Sequence, residues 1–283
     1  MILITTDGSQ CSTRVIPHAA VLARICEEQV TLLRVFDPGE LASEPNTTRP
    51  ARLRQEVASL EDGMSRLIAE ASVSGVAHAE PLLKGESVPE AILRFAAETG
   101  ASLIAMDSRG HGAIRHALLG SVAMEVLAHS PLPVMMTGPE IGSAEIKEPY
   151  VIVATTDCSL ASEQVFLGLA AICALPKVSV ALTNVYVPAL GDKGEQAEVQ
   201  ERYALLADVQ RRLLSDARCD LVVRRAQDLT KPESLVLDTA RDMKASAIAM
   251  STKGHSAQRH LVLGSFAAAV LARSPLPVIL VKA

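Results

Sequence analysis

Apolar and polar positions along this chain fall into blocks whose period changes between strand and helix. Residues 1–6 read as a nearly unbroken apolar strand. Residues 12–27 place Val15, Ala19, Leu22, Ala23 and Cys26 at helical spacing, which predicts a helix with a buried face. A second apolar strand is expected at 30–36, a loop with three prolines at 37–50, a helix polar on one face at 51–74, and a third strand at 78–84. Ser87-Val-Pro-Glu90 sets a serine three residues before a glutamate, with an early proline. That pattern is a capping box opening a helix, expected to reach about residue 99. A fourth strand follows at 102–106, a helix at 121–129 and a fifth strand at 133–137.

The pattern is then written a second time. ILITTDGS (2–9) returns as IVATTDCS (152–159), and the segment 107–136 returns as 251–280 with 17 of 30 positions identical. The capping signal returns as Thr230-Lys-Pro-Glu233. The two offsets, 150 and 144, make the second copy six residues shorter between Phe36 and Ser87. Two copies this long predict two domains of one fold, 1–141 and 150–283, joined by a linker at 142–149 within GPEIGSAEIKEP (138–149). Apolar strands separated by helices imply an α/β architecture, a parallel sheet covered on both faces. Right-handed crossovers make it doubly wound. The strand orders 2-1-3-4-5 and 3-2-1-4-5 both satisfy this pattern.

Composition narrows the function. An apolar fraction of 49% with 21% charged residues excludes a disordered chain. Aromatics at 2%, with no Trp, leave no stacking platform for single-stranded nucleic acid. A net charge of −5 argues further against a nucleic-acid partner. Five cysteines without a CxxC pair suit a reducing, cytoplasmic setting. The opening MILITTDGS reads as a strand entering a turn rather than a signal peptide. Between Glu163 and Asp192 the only charge is Lys177, but Pro176, Asn184 and Pro188 interrupt the stretch, so no membrane span is expected.

In open α/β sheets, ligands bind beyond the carboxyl ends of the strands, where the strand order reverses. Two segments fit that crevice in each copy. One is the end of the first strand, Thr6-Asp7-Gly8-Ser9 and Thr156-Asp157-Cys158-Ser159. Its carboxylate can accept from a ribose hydroxyl or an adenine amine, or close an Asx turn. The other follows the fourth strand: Gly110, nine residues, Gly120-Ser121, and again Gly254, nine residues, Gly264-Ser265. Bare glycine lets the backbone approach a phosphate, and a helix beginning at the serine adds its N–H groups and dipole. Arg109 and Lys253 stand just before the first glycine and add positive charge. No P-loop, no GxGxxG after the first strand and no GxSxG elbow is present. The recurring His111/His255 and His116/His260 lack an accompanying Cys or carboxylate cluster, so they read as solvated loop residues rather than metal ligands.

An Asp-Gly-Ser end to the first strand, a late Gly-x9-Gly-Ser loop and a terminal S-x-x-P-V strand resemble the universal stress protein family, through both halves. The resemblance implies two tandem five-stranded parallel sheets in the order 3-2-1-4-5. It implies a bound adenine nucleotide, ATP with or without Mg²⁺; the sequence itself offers no positioned general base with a water-activating metal site, so no catalytic residues are assigned and at most slow hydrolysis is expected. Carried over, Asp7 stands for the adenine and ribose carboxylate, Val35 for the adenine-side backbone, and Met106, Gly110, Gly120, Ser121 and Val122 for the loop holding ribose and phosphates. The second set is Asp157, Val185, Met250, Gly254, Gly264, Ser265 and Phe266. The last strands, 133–137 and 277–282, resemble the edge that pairs family members, which implies pairing of the two halves and allows a homodimer. Two departures stand out. Asp107 and Ser251 occupy the first glycine of the family's Gly-x2-Gly-x9-Gly-(Ser/Thr) loop, and Phe266 replaces a small residue. A carboxylate facing phosphates is repulsive unless Arg109 or Mg²⁺ offsets it, so the second site is expected to be the better one. The competing expectation is a nucleotide-free module whose output is pairing with itself or a partner.

Overall fold

The computed structural model describes residues 1–39, 49–110, 119–145, 147–188, 195–226, 231–253 and 262–283. Thr230, His111, His116, Gly254, His255 and His260 lie outside the described residues. The chain divides into two compact units, Met1–Ser130 and Pro131–Ala283.

In the first unit the elements are β1 (Ile2–Thr5), α1 (Val15–Cys26), β2 (Val30–Phe36), α2 (Arg49–Glu70), β3 (Gly75–Pro81), α3 (Val88–Glu98), β4 (Leu103–Asp107) and α4 (Ser121–His129). Its strands run parallel in the order β3-β2-β1-β4. β1 and β4 are buried along their whole length, as expected of central parallel strands covered on both faces. Ile2, Leu3, Ile4, Leu103 and Ile104 are fully buried, and each such side chain contributes roughly 1.5–3 kcal/mol. The capping box is formed: Ser87 Oγ accepts from Glu90 N, and the Glu90 carboxylate accepts from Ser87 N.

β3 begins and ends three residues before the span 78–84 read from the sequence. The reason is its partner. β2 offers seven paired positions, from Val30↔Gly75 to Phe36↔Pro81, and the last bond is Leu82 N to Phe36 O at 2.9 Å. The apolar Leu83, which falls within the expected span, is exposed instead. α2 ends at Glu70, four residues before the expected end, and Ser72 beyond it takes a left-handed φ of 52°.

The second unit contains β5 (Val134–Thr137), β6 (Tyr150–Thr155), α5 (Leu160–Cys173), β7 (Val178–Tyr186), α6 (Glu195–Leu213), β8 (Arg218–Arg225), α7 (Pro232–Asp242), β9 (Ala247–Ser251), α8 (Ser265–Arg273) and β10 (Val278–Val281). The second repeat runs parallel in the order β8-β7-β6-β9-β10, which is 3-2-1-4-5. Beside it, β5 pairs antiparallel with β10 through Met136↔Val278, Met135↔Ile279 and Val134↔Leu280. Among the described residues no helix is long and apolar enough to cross a membrane.

Candidate functional site

Pairing of Ile4 with Leu32 and with Ala105 brings the ends of β1, β2 and β4 side by side. The segments leaving those ends surround a cavity of about 580 Å³. Its volume lies within the roughly 300–1,000 Å³ of small-molecule sites. All seven residues assigned to the first site from the sequence, Asp7, Val35, Met106, Gly110, Gly120, Ser121 and Val122, line it. Leu33, Val88 and Ile92 join Val35 and Met106 in the apolar part of its lining. The polar part is built from the turn after β1 and the loop after β4.

The turn after β1 is held by short side chains. Thr6 Oγ1 and Ser12 Oγ share a buried hydrogen bond of 2.8 Å, and Gly8 N donates to Thr6 Oγ1 at 3.0 Å. Ser12 N donates to Ser9 Oγ, and Ser12 Oγ to Ser9 O, at 3.1 and 3.0 Å. Asp7 Oδ1 accepts from Ser9 N at 2.9 Å, so this carboxylate does close an Asx turn. Its other oxygen, Oδ2, lies against Gly110 on the loop after β4.

Asp107 ends β4 with only 1% of its side chain exposed. Arg14 Nη2 donates to both of its oxygens, at 3.1 and 2.9 Å, and Arg109 N donates to Oδ1 at 3.0 Å. The carboxylate expected to repel phosphates is therefore paired with Arg14, which sequence reading did not single out, while Arg109 contributes its main-chain N–H. Next along the loop, Ser108 Oγ and Arg109 Nε are buried without a hydrogen-bond partner, and both residues line the cavity. Such orphaned polar atoms cost about 1–3 kcal/mol each. Gly120 N donates to Ser108 O at 2.8 Å, which fixes the start of α4 against the loop.

Several helix starts lack a side-chain cap, those of α1 and α7 included. α3 and α5 are capped by Ser87 and Ser159. α4 and α8 begin at Gly120 and Gly264, with no side-chain cap and no acidic residue in the first turn. The first N–H groups of α4 are thus left to whatever enters the cavity.

In the second unit the turn after β6 repeats the first. Thr156 Oγ1 and Ser162 Oγ are 2.7 Å apart, Cys158 N donates to Thr156 Oγ1 at 2.9 Å, and Ser159 N donates to Asp157 Oδ1 at 3.0 Å. The Thr-x5-Ser spacing kept in both copies was the sequence signal for this framework. Asp157 leaves β6 at the same sheet end as Val185 of β7, given the Thr155↔Thr183 register, and Met250 is buried in β9. Gly264 N donates to Thr252 O at 2.8 Å, Ser265 opens α8, and Phe266 is 36% exposed. At the place of Asp107, Ser251 Oγ donates to Lys253 O at 2.6 Å. Cys158 takes φ 62° where Gly8 takes 83°.

Among the described residues no group of three or more His, Cys, Asp or Glu is placed to hold a metal ion. Cys26, Cys173 and Cys219 have thiols pushed up by burial to about 12, 12 and 11. Burial also raises Cys158.

Comparison with known proteins is consistent across sequence and structure. The model of the universal stress protein family matches residues 1–138 and again 151–282. A universal stress protein encoded beside a QAH/OAS sulfhydrylase in Thermus aquaticus is 31% identical over 137 residues, covering 48% of this chain and 96% of that protein. A universal stress protein structure from Archaeoglobus fulgidus superposes with a TM-score of 0.65 at 17% identity, covering 99% of this chain and 95% of its own. A putative universal stress protein from Pseudomonas aeruginosa gives 0.58 at 17% identity, covering 99% and 92%.

Proposed function

The chain belongs to the universal stress protein family, and on that footing we propose that its first crevice binds an adenine nucleotide, ATP foremost. The observation that carries the reading is the 580 Å³ cavity that gathers Asp7, Val35, Met106, Gly110, Gly120, Ser121 and Val122 in one place. The apolar lining suits an adenine ring, with Val35 offering backbone polar groups to its edge. Asp7 faces the ribose. The uncapped start of α4, Ser121 and the orphaned Ser108 and Arg109 atoms suit phosphates. Mg²⁺ would ride with the phosphates.

The first crevice takes precedence over the second, the reverse of the order expected from the sequence. Pairing with Arg14 removes the repulsion that counted against Asp107. Asp157, Val185, Met250, Gly264, Ser265 and Phe266 are assigned to a second, weaker site, to which the sequence adds Gly254, outside the described residues. Both act as binding modules in a stress response, in the cytoplasm, with slow hydrolysis, since the sequence carries no signature of a general base paired with a water-activating metal site. The β5–β10 ladder supports pairing of the repeats through their last strands.

The test is direct. With no Trp and three Tyr the protein absorbs weakly at 280 nm, so copurified adenine nucleotide dominates its ultraviolet spectrum. Nucleotide-free protein should melt higher in millimolar Mg-ATP. An unchanged melting temperature, with no nucleotide copurified, favours the alternative of a nucleotide-free interaction module.

A further inference from the structure

We propose that Arg14, acting through Asp107, is the positioning residue that locks the phosphate loop of the first crevice, and that this lock belongs to the first repeat alone. The inference rests on the nucleotide reading of that crevice. Arg14 stands at the start of α1 and Asp107 at the end of β4, 93 positions apart in the chain. Charge-assisted bonds to both oxygens fix the carboxylate. Its Oδ1 then fixes Arg109 N. The same short loop offers Ser108 O to Gly120 N, where α4 begins. One continuous series of hydrogen bonds therefore runs from the start of α1 to the helix terminus that faces the cavity.

The second repeat keeps the last bond and drops the first. Gly264 N still meets Thr252 O at 2.8 Å. At the positions of Arg14 and Asp107, however, stand Gln164 and Ser251, so both partners change together. Ser251 satisfies itself within its own loop, on Lys253 O. A buried carboxylate without its arginine is costly, whereas a serine needs no distant partner. Among the described residues the two loops thus reach the same helix start by different means, and the tie to the helix after the first strand is seen in the first.

The experiment uses the full chain carrying Gly264→Asp, which blocks the second crevice. Calorimetric titration with ATP and with adenosine compares this parent with Arg14→Gln and with Arg14→Gln/Asp107→Ser, the pair found in the second repeat. Arg14→Gln should weaken ATP about tenfold or more, because the phosphate cradle is displaced. Adenosine, which does not reach that cradle, should stay within about twofold. The double variant should recover most of the loss, since a serine at the end of β4 needs no arginine.

Should Arg14→Gln not fold, Arg14→Lys keeps the charge, loses the guanidinium that reaches Asp107 through Nη2 while its Nε donates to Cys11 O, and carries the same prediction. Unchanged ATP affinity, an equal fall for both ligands, or a double variant no better than the single each overturns the inference alone. A parent that binds neither ligand overturns the nucleotide reading and the inference with it.

Discussion

The Asp7 carboxylate packs so closely on Gly110 that a Cβ on that glycine would overlap Oδ2. Gly110 is therefore bare because of a neighbour in the same fold, before any ligand is considered. Gly110→Ala should lower stability by about 1–3 kcal/mol through overpacking. The loss should shrink in an Asp7→Ala background, since the clashing oxygen is then gone. Urea unfolding of the two single variants and the double one measures the coupling.

Gly120 is bare for another reason. A Cβ there meets nothing closer than Ser108 O at 3.7 Å, and its φ of −70° suits any residue. Gly120→Ala should therefore cost the fold about 1 kcal/mol or less. If phosphates sit at the α4 terminus as proposed, its ATP affinity should nonetheless fall about tenfold, because the methyl group would stand in their place. Thermal melting and calorimetry on the same preparation separate the two effects.

The turns after β1 and β6 differ at two coupled positions. A Cβ on Gly8 would lie 2.6 Å from Arg34 Nη1, at φ 83°. In the second copy Cys158 carries a Cβ at φ 62°, and Asn184 replaces Arg34, donating instead to Thr156 O at 2.7 Å. Cys158→Gly should stabilise the protein by about 1 kcal/mol by relieving the left-handed backbone. Gly8→Cys should destabilise it by more than that, through strain and collision together. Chemical denaturation of each variant checks the pair of signs.

Burial raises the thiols of Cys26, Cys173 and Cys219 from 9.0 to about 12, 12 and 11. The folded state holds these protons more tightly than the unfolded one. Their contribution to stability is therefore intact below pH 9 and is lost as pH rises through 11 and 12. At pH 8 about one such thiol in a thousand or fewer is ionised. A colorimetric thiol assay on native protein should titrate the exposed Cys11 first, the half-buried Cys26 and Cys219 more slowly, and the buried Cys173 only after unfolding.

Much of the fold was legible because its signals are local. The capping box at Ser87 and Glu90, the apolar runs of β1 and β4 and the Gly-Ser helix starts each declare themselves within a few residues. β3 was misplaced because its limits are set by its partner β2 rather than by its own apolar residues. Asp7, Gly110, Gly120 and Ser121 were legible through repetition, whereas Val35, Met106 and Val122 came only from the family resemblance, having no local signal of their own. Arg14 carried no local signal, since its role depends on a residue 93 positions away. Only the joint change to Gln164 and Ser251 between the copies hinted at it.

The most direct measurement is a crystal structure of the full chain grown with a non-hydrolysable ATP analogue. The account predicts density in the first cavity, with adenine beside Val35, ribose at Asp7 and phosphates over Gly120 and Ser121. A cavity that stays vacant, fills with the protein's own side chains, or holds the nucleotide with its phosphates away from the start of α4 would contradict it.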